Sequence, residues 1–245
     1  MDYSKYILSL KEKGGIILVS IITSLVIAYL FYDSVWGSVL APFFMIIFRK
    51  MYIEHKIKER KDRLTREFMD FLKNVSSALI AGYSIENAWI EAQKEIGLLH
   101  GTHSLMYREV SEMNRAITVN MPIEAVLEKF AVRTEVDDII NFVEIFSFAK
   151  RSGGNFVKII DSTTNRICQK YETYREIEVS LASKKMEQKV MNFIPIFILA
   201  YLRLTSSDYM EALYGNALGF TFMTVCLILY GGAILLSGKI INISV

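Results

Sequence analysis

The chain has little of the chemistry that usually marks a catalytic or metal-binding protein. It holds two cysteines and three histidines in 245 residues. Cys168 and Cys226 lie far apart, and neither has a Cys or His partner at metal-ligand spacing, which argues against a zinc site and a structural disulfide. The unpaired thiols fit a reducing compartment. His100 and His103, in the string HGTH, are the close histidine pair, but Gly101 between them and the lack of a third ligand point to a surface loop. There is no G-x-x-x-x-G-K-[ST] phosphate loop, no H-E-x-x-H, no G-x-S-x-G and no C-x-x-C. No catalytic residue, cofactor or metal is expected, and the chain is not expected to be an enzyme. Nor is there an excess of one charge: the formal net charge is +2, which excludes general nucleic-acid binding.

What is abundant is apolar sequence, about half of the residues, and it is unevenly placed. It crowds into Ile16–Phe48 and Val190–Ser237, while Arg49–Lys189 reads as an ordinary soluble segment. Ile16–Tyr32 carries no charge and, with Gly14 and Gly15, is long enough for a membrane span of about 20 residues. Val35–Phe48 is shorter and contains Pro42. We read the two as a tight helical hairpin, with one membrane helix followed by a buried soluble helix as the alternative. Leu218–Ser237 is a second clear span. Met191–Leu204 before it is short and carries Arg203, placed to snorkel, and Pro195, which a membrane helix tolerates. The expected division is therefore 1–48 as an N-terminal tail and hairpin, 49–189 as a helical domain, and 190–245 as a second hairpin.

Charge sets the expected orientation. Lys5, Lys11 and Lys13 precede the first span. Arg49, Lys50, Lys56, Lys58, Arg60, Lys61 and Arg63 follow the second. Lys184, Lys185 and Lys189 precede the third, and Lys239 follows the fourth. The two short turns carry no Lys or Arg, so the positive-inside rule predicts a multi-pass protein of the cytoplasmic (inner) membrane with both termini and the middle domain cytoplasmic. A cleaved signal peptide is the competing reading of the N-terminus, but no small-residue cleavage site follows Tyr32, and cleavage would export a strongly basic segment. The basic run Arg49–Arg63 is a candidate surface for anionic lipid head groups, with an acidic protein partner as the alternative.

The middle segment shows helical rather than alternating periodicity. Leu64, Phe68, Phe71, Leu72, Val75 and Leu79 form one stripe, ended by Gly82 as a left-handed C-terminal cap. Ser84 caps the next helix, with Glu86 in its first turn and Ile85, Ala88, Trp89, Ala92 and Ile96 on its buried face. Leu105, Met113 and Ile117 predict a third helix. Pro122 is placed as a first-turn proline, followed by Ile123, Val126, Leu127 and Phe130. Val136, Ile139, Ile140, Val143 and Phe146 form a fifth stripe, ended by Gly153 and Gly154, with Asn155 as the cap of the last helix. That helix is expected to run from Phe156 towards the third span. The predicted fold is all-α, a bundle of about six helices flanked by two transmembrane hairpins. Arg151–Asn155 (RSGGN) reads either as a sharp turn or as a phosphate-cradling nest. Gly82–Glu86 and Asn120–Glu124 echo each other, each placing a residue that tolerates positive φ before a cap and an Ile-Glu pair. Capping chemistry alone would also favour such strings.

Four strings taken in order resemble a known family: Leu64–Trp89 (LTREFMDFLKNVSSALIAGYSIENAW), Asn120–Asp138 (NMPIEAVLEKFAVRTEVDD), Phe148–Asp161 (FAKRSGGNFVKIID) and Lys184–Pro195 (KKMEQKVMNFIP). They resemble the F-domain proteins of type II secretion systems, particularly the inner-membrane platform proteins of Tad (Flp, tight-adherence) pili. The matching positions are Gly82, Ser84 and Ala88, then Pro122, Leu127 and Arg133, then Gly153, Gly154 and Asn155, and finally Pro195. Asn120 stands where the family often has Gly, and Phe156 where it usually has Leu. One such domain per chain resembles the Tad branch. The resemblance implies a non-enzymatic platform for type IV pilus assembly or protein secretion. Its implied partners are a hexameric cytoplasmic secretion ATPase, a second related platform protein or further copies of itself, pilin subunits and the lipid bilayer, with no nucleic acid. A transporter or channel subunit with a cytoplasmic helical domain is the alternative reading. A membrane-bound signalling or lipid-modifying enzyme would need a cluster of catalytic side chains, which the sequence does not assemble.

Overall fold

The structure is a computed structural model that describes residues 3–33, 41–152, 155–206, 214 and 216–241. Its described residues form eight helices and no strand. They are α1 (Leu10–Tyr32), α2 (Ala41–Ile80), α3 (Ile85–His100), α4 (Leu105–Thr118), α5 (Ile123–Thr134), α6 (Asp137–Ser152), α7 (Phe156–Thr205) and α8 (Ala217–Ile241). The chain divides into two compact units. One comprises Met1–Ile7 and Ile53–Glu172, and the other Leu8–Tyr52 and Thr173–Val245. Within the second unit α1 and α8 pack on each other. The second and third apolar stretches are not separate helices. Ala41–Phe48 opens α2, and Met191–Leu204 closes α7. Ser34 of the expected first turn, residues 35–40 at the start of the second apolar stretch, and most of the second turn lie outside the described residues.

The first, polar unit is built on the expected stripes. Leu64, Phe68, Phe71, Leu72 and Val75 of α2 are fully buried, as are Trp89, Ile96, Phe130, Ile139 and Phe146 from the following helices. Residues of α2 through α7 share one core. Its centre is aromatic: Phe71 and Trp89 meet edge-on with ring centroids 5.0 Å apart, Trp89 meets Phe146 at 5.7 Å, and Phe146 meets Phe156 at 5.3 Å. Such edge-to-face pairs fix relative orientation beyond what area burial supplies. On α4 the core residues are Met106, Val110 and Met113; the sequence reading had named only the last.

The apolar unit is organised differently. Leu30, Phe31 and Met223 form a small buried cluster, with Ile27, Leu199 and Leu227 against it. Most other apolar side chains of α8 face outward, including Phe222, Ile228, Leu229 and Leu235. Two helices, Leu10–Tyr32 and Leu218–Ile240, are long and apolar enough to cross a membrane. A helix apolar on all sides is one that meets an apolar surrounding. Between the helices, Tyr32 and Thr224 hydroxyls lie 3.2 Å apart, and Gln188 Nε2 donates to Ser237 Oγ at 2.7 Å. Arg203 does not reach outward. Its guanidinium pairs with the Asp33 carboxylate and the Tyr29 carbonyl and stacks 3.6 Å over the Tyr29 ring.

Candidate functional site

The turns whose residues resemble the family's motifs lie in the polar unit. After α2, Gly82 N–H donates to the Leu79 carbonyl at 3.0 Å and Tyr83 N–H to the Ala78 carbonyl at 3.1 Å, with Gly82 at φ +90°. After α4, Asn120 N–H donates to Ile117 O at 2.9 Å and Met121 N–H to Ala116 O at 3.1 Å, with Asn120 at φ +63°. Both are complete Schellman motifs, the paired bonds that satisfy the last carbonyls of a helix. A Cβ added at Gly82 would meet nothing within 4 Å, so the demand for glycine there is conformational, not steric. Two residues past each left-handed residue a new helix is capped. The Ser84 hydroxyl accepts from Asn87 N–H at 3.4 Å. Pro122 occupies the equivalent cap with φ −58° and ψ 132°, and its carbonyl accepts from Val126 N–H at 3.2 Å.

Pro122 therefore sits one place earlier than the first-turn position read from the sequence. An extended residue is needed to leave the left-handed turn, and proline supplies it without losing a helical donor. Ala88 and Leu127, the matched apolar positions, are both buried. Lys150 Nζ binds the Glu124 carboxylate at 3.0 Å, and Ser76 Oγ donates to Asp161 at 2.8 Å. These contacts join the end of α6 to the start of α5, and the end of α2 to the start of α7. The two Schellman turns and Asn155 thus gather at one end of the unit. Asn155 accepts from Lys158 N–H at 3.2 Å and caps α7. Gly153 and Gly154 lie outside the described residues. Pro195 is inside α7, exposed, in a stretch that stays helical.

Arg133 belongs to the opposite end. Its guanidinium binds the Glu109 carboxylate at 2.6 Å and approaches Glu112 at 3.6 Å. The Glu109 side chain is only 4% exposed, so an unpaired charge there would be costly and the arginine offsets it. A second donor comes from the start of the chain, where Tyr3 hydroxyl reaches Glu109 Oε1 at 2.9 Å. Tyr3 is itself buried, its amide donates to the Arg133 carbonyl at 3.4 Å, and Arg60 lies 4.8 Å over its ring. Burial and the neighbouring Glu109 carboxylate both push the Tyr3 hydroxyl pKa upward. Glu67, buried on α2, accepts from Met106 N–H at 2.8 Å and from Arg63 at 2.9 Å. It caps the first turn of α4 from another helix, where a carboxylate also meets the helix dipole favourably.

The basic run on α2 is partly spent inside the protein. Lys56 pairs with Glu59 at 2.8 Å, Lys61 donates to the Glu135 carbonyl at 3.0 Å, Arg63 binds Glu67, and Arg60 covers Tyr3. Arg49, Lys50 and Lys58 are exposed. His100 Nε2 lies 2.8 Å from Asp70. Among the described residues no group of three or more His, Cys, Asp or Glu is arranged to hold a metal. Burial raises the Cys168 thiol pKa and so disfavours its thiolate. The sequence reading missed Tyr3, Glu67 and Glu109. The signal for Glu67 and Glu109, a polar group beside an apolar stripe, is readable only once a partner is known. Comparison with family models, with curated proteins and with solved structures finds no match to this chain.

Proposed function

We propose that this chain is a platform protein of the cytoplasmic membrane for Tad/Flp-type pilus assembly or type II secretion. On this reading it couples a hexameric cytoplasmic ATPase to the insertion of pilin subunits into a filament. The observation that carries the reading is the pair of Schellman turns. The two echoing strings, Gly82–Glu86 and Asn120–Glu124, which lie within longer strings that resemble the family's motifs, make the same turn and the same cap register, at one end of a polar unit with its own core. Apolar helices capable of spanning a bilayer stand on both sides of that unit in the sequence. Four spans in two hairpins, with both termini and the polar unit cytoplasmic, complete the arrangement, and a second platform protein or further copies would assemble with it. No hydrolytic motif occurs in the sequence, so energy would come from the partner ATPase. Deletion of the gene in its host should abolish surface filaments, and the tagged chain should co-purify with a secretion ATPase. Wild-type filament numbers in a clean deletion strain would overturn the reading.

One observation favours the transporter alternative. Arg203 has an acidic partner in Asp33, which sequence reading had not paired with it. A paired charge beside apolar helices is a feature of ion and substrate pathways. Solute flux in reconstituted vesicles that is lost in Arg203→Gln would favour that alternative, and intact vesicles without flux would exclude it.

A further inference from the structure

Within the apolar unit the end of α7 has two unlike sides. On one, Ile196, Leu199 and Ala200 pack against the cluster of Leu30, Phe31 and Met223 from α1 and α8. The Tyr230 hydroxyl donates to the Asn192 carbonyl, and Gln188 reaches Ser237. This stretch of α7 therefore lies alongside both helices that are long and apolar enough to cross a membrane. The neighbouring side is uncovered. Lys185, Lys189, Phe193 and Phe197 recur every four residues and so form one row along the helix. With Val190 and Ile194 they line a shallow groove of about 740 Å³. Its apolar members are exposed. The two ends of the groove differ in chemistry. One holds the ammonium groups of Lys185 and Lys189, a single helical turn apart, and among the described residues no acidic side chain lines the groove. Lys184, outside it, is instead spent on Glu187. Beyond Lys189 the lining is wholly apolar as far as Ile198.

We propose that this groove holds one anionic phospholipid, with its phosphate at Lys185 and Lys189 and an acyl chain along Val190, Phe193, Ile194 and Phe197. Charge complementarity and reach both select that occupant. A phospholipid joins an anion to an apolar chain in the order in which the groove presents cations and apolar side chains. From Lys189 to Phe197 the helix rises about 12 Å, comparable to the roughly 15 Å of hydrocarbon in one leaflet. A zwitterionic lipid brings its own cation and gains less from the two lysines. An apolar helix of another protein would cover the phenylalanines but leave both ammonium groups unmatched. The inference rests on the membrane reading of the apolar unit and adds to it a ligand class and the residues that select it.

The test is photo-crosslinking of the full chain in nanodiscs of phosphatidylcholine and phosphatidylglycerol in equal amounts. p-Benzoylphenylalanine is placed at Phe193 in the groove or, as the reference, at the outward-facing Phe222 of α8, and mass spectrometry identifies the attached lipid. Phosphatidylglycerol should be enriched at position 193 relative to position 222. Lys185→Gln and Lys189→Gln should each lower that enrichment, by up to about fivefold, and Lys184→Gln should leave it unchanged. None of the three lysines is buried, so these variants should fold. Equal lipid proportions at the two positions would overturn the site and leave the membrane reading intact. So would an enrichment insensitive to Lys185 and Lys189, or crosslinking at position 193 to a second copy of the chain in place of lipid. Absence of lipid at both positions would overturn the membrane reading and the site with it.

Discussion

The two units use the same residue types to opposite ends. In the polar unit the large apolar side chains point inward: Phe68, Phe71 and Trp89 have no exposed surface. In the apolar unit they point outward: Phe197 is 75% and Leu229 67% exposed. A soluble core gains stability by removing apolar area from water. A helix already surrounded by lipid gains nothing from burying one apolar face against another, so its contacts are few and polar. On the membrane reading proposed above, the Tyr32–Thr224 and Gln188–Ser237 contacts and the Arg203–Asp33 pair are of that kind. The lesson is that the identity of a large apolar residue does not say which of the two ends it serves. What separates them is where the partner of each apolar side chain is found.

The largest test of this contrast is at the centre of the polar core. Trp89→Ala should cost about 3–5 kcal/mol, the range for removing a buried aromatic, read as a drop in the urea midpoint of the full chain. Next is a charge on each surface. Leu229→Arg on α8 should cost about 2.5–3.5 kcal/mol of membrane insertion, read by integration into microsomes. Leu98→Arg, at a leucine 81% exposed in the polar unit, should stay within about 0.5 kcal/mol in the same urea measurement. Equal effects at the two leucines would break the comparison.

Two smaller effects sharpen the account of the polar unit. Gly82→Ala should cost about 1 kcal/mol because φ +90° strains a residue with a Cβ. Asn120→Gly should be neutral within a few tenths. Thermal melting of both variants checks the pair. A further small effect is at Glu124. Burial opposes its charge, but a backbone hydrogen bond and the cations Lys150 and Arg151 outweigh that and hold its pKa below the ordinary 4.5. A depressed carboxylate contributes stability above its unfolded pKa and loses it as pH falls through the folded value. Lys150→Gln should therefore lower stability by less than about 0.5 kcal/mol at neutral pH, after allowance for solvent screening. The difference from wild type should vanish in acid, as followed by melting between pH 7 and pH 3.

The sequence made local features legible and long-range ones illegible. The stripe Leu64–Leu79, the caps at Gly82 and Ser84, and the long run of α7 follow from periodicity and capping, which operate within a few residues. The helical class and the two most apolar helices were readable for the same reason. Tyr3 was not, because nothing in a basic N-terminal stretch shows that a tyrosine will be buried 106 positions from its partner Glu109. Glu67 and Glu109 looked like solvated charges, since burial of a carboxylate is decided by the donors that meet it. Pro122 was placed one residue late because periodicity marks a helix face better than its first residue.

The 50-residue helix α7 has a consequence of its own. Its buried residues end at Cys168, and none of its residues from Gln169 to Thr205 is buried. Thr173–Lys189 is thus a charged, exposed helical stretch about 25 Å long, steadied by local pairs such as Lys184–Glu187 at 3.0 Å. Isolated helices of this length are marginal in water. This stretch is then the fuse of the molecule: the first place to fray on heating, and the first that a protease should cut while both ends of α7 remain folded.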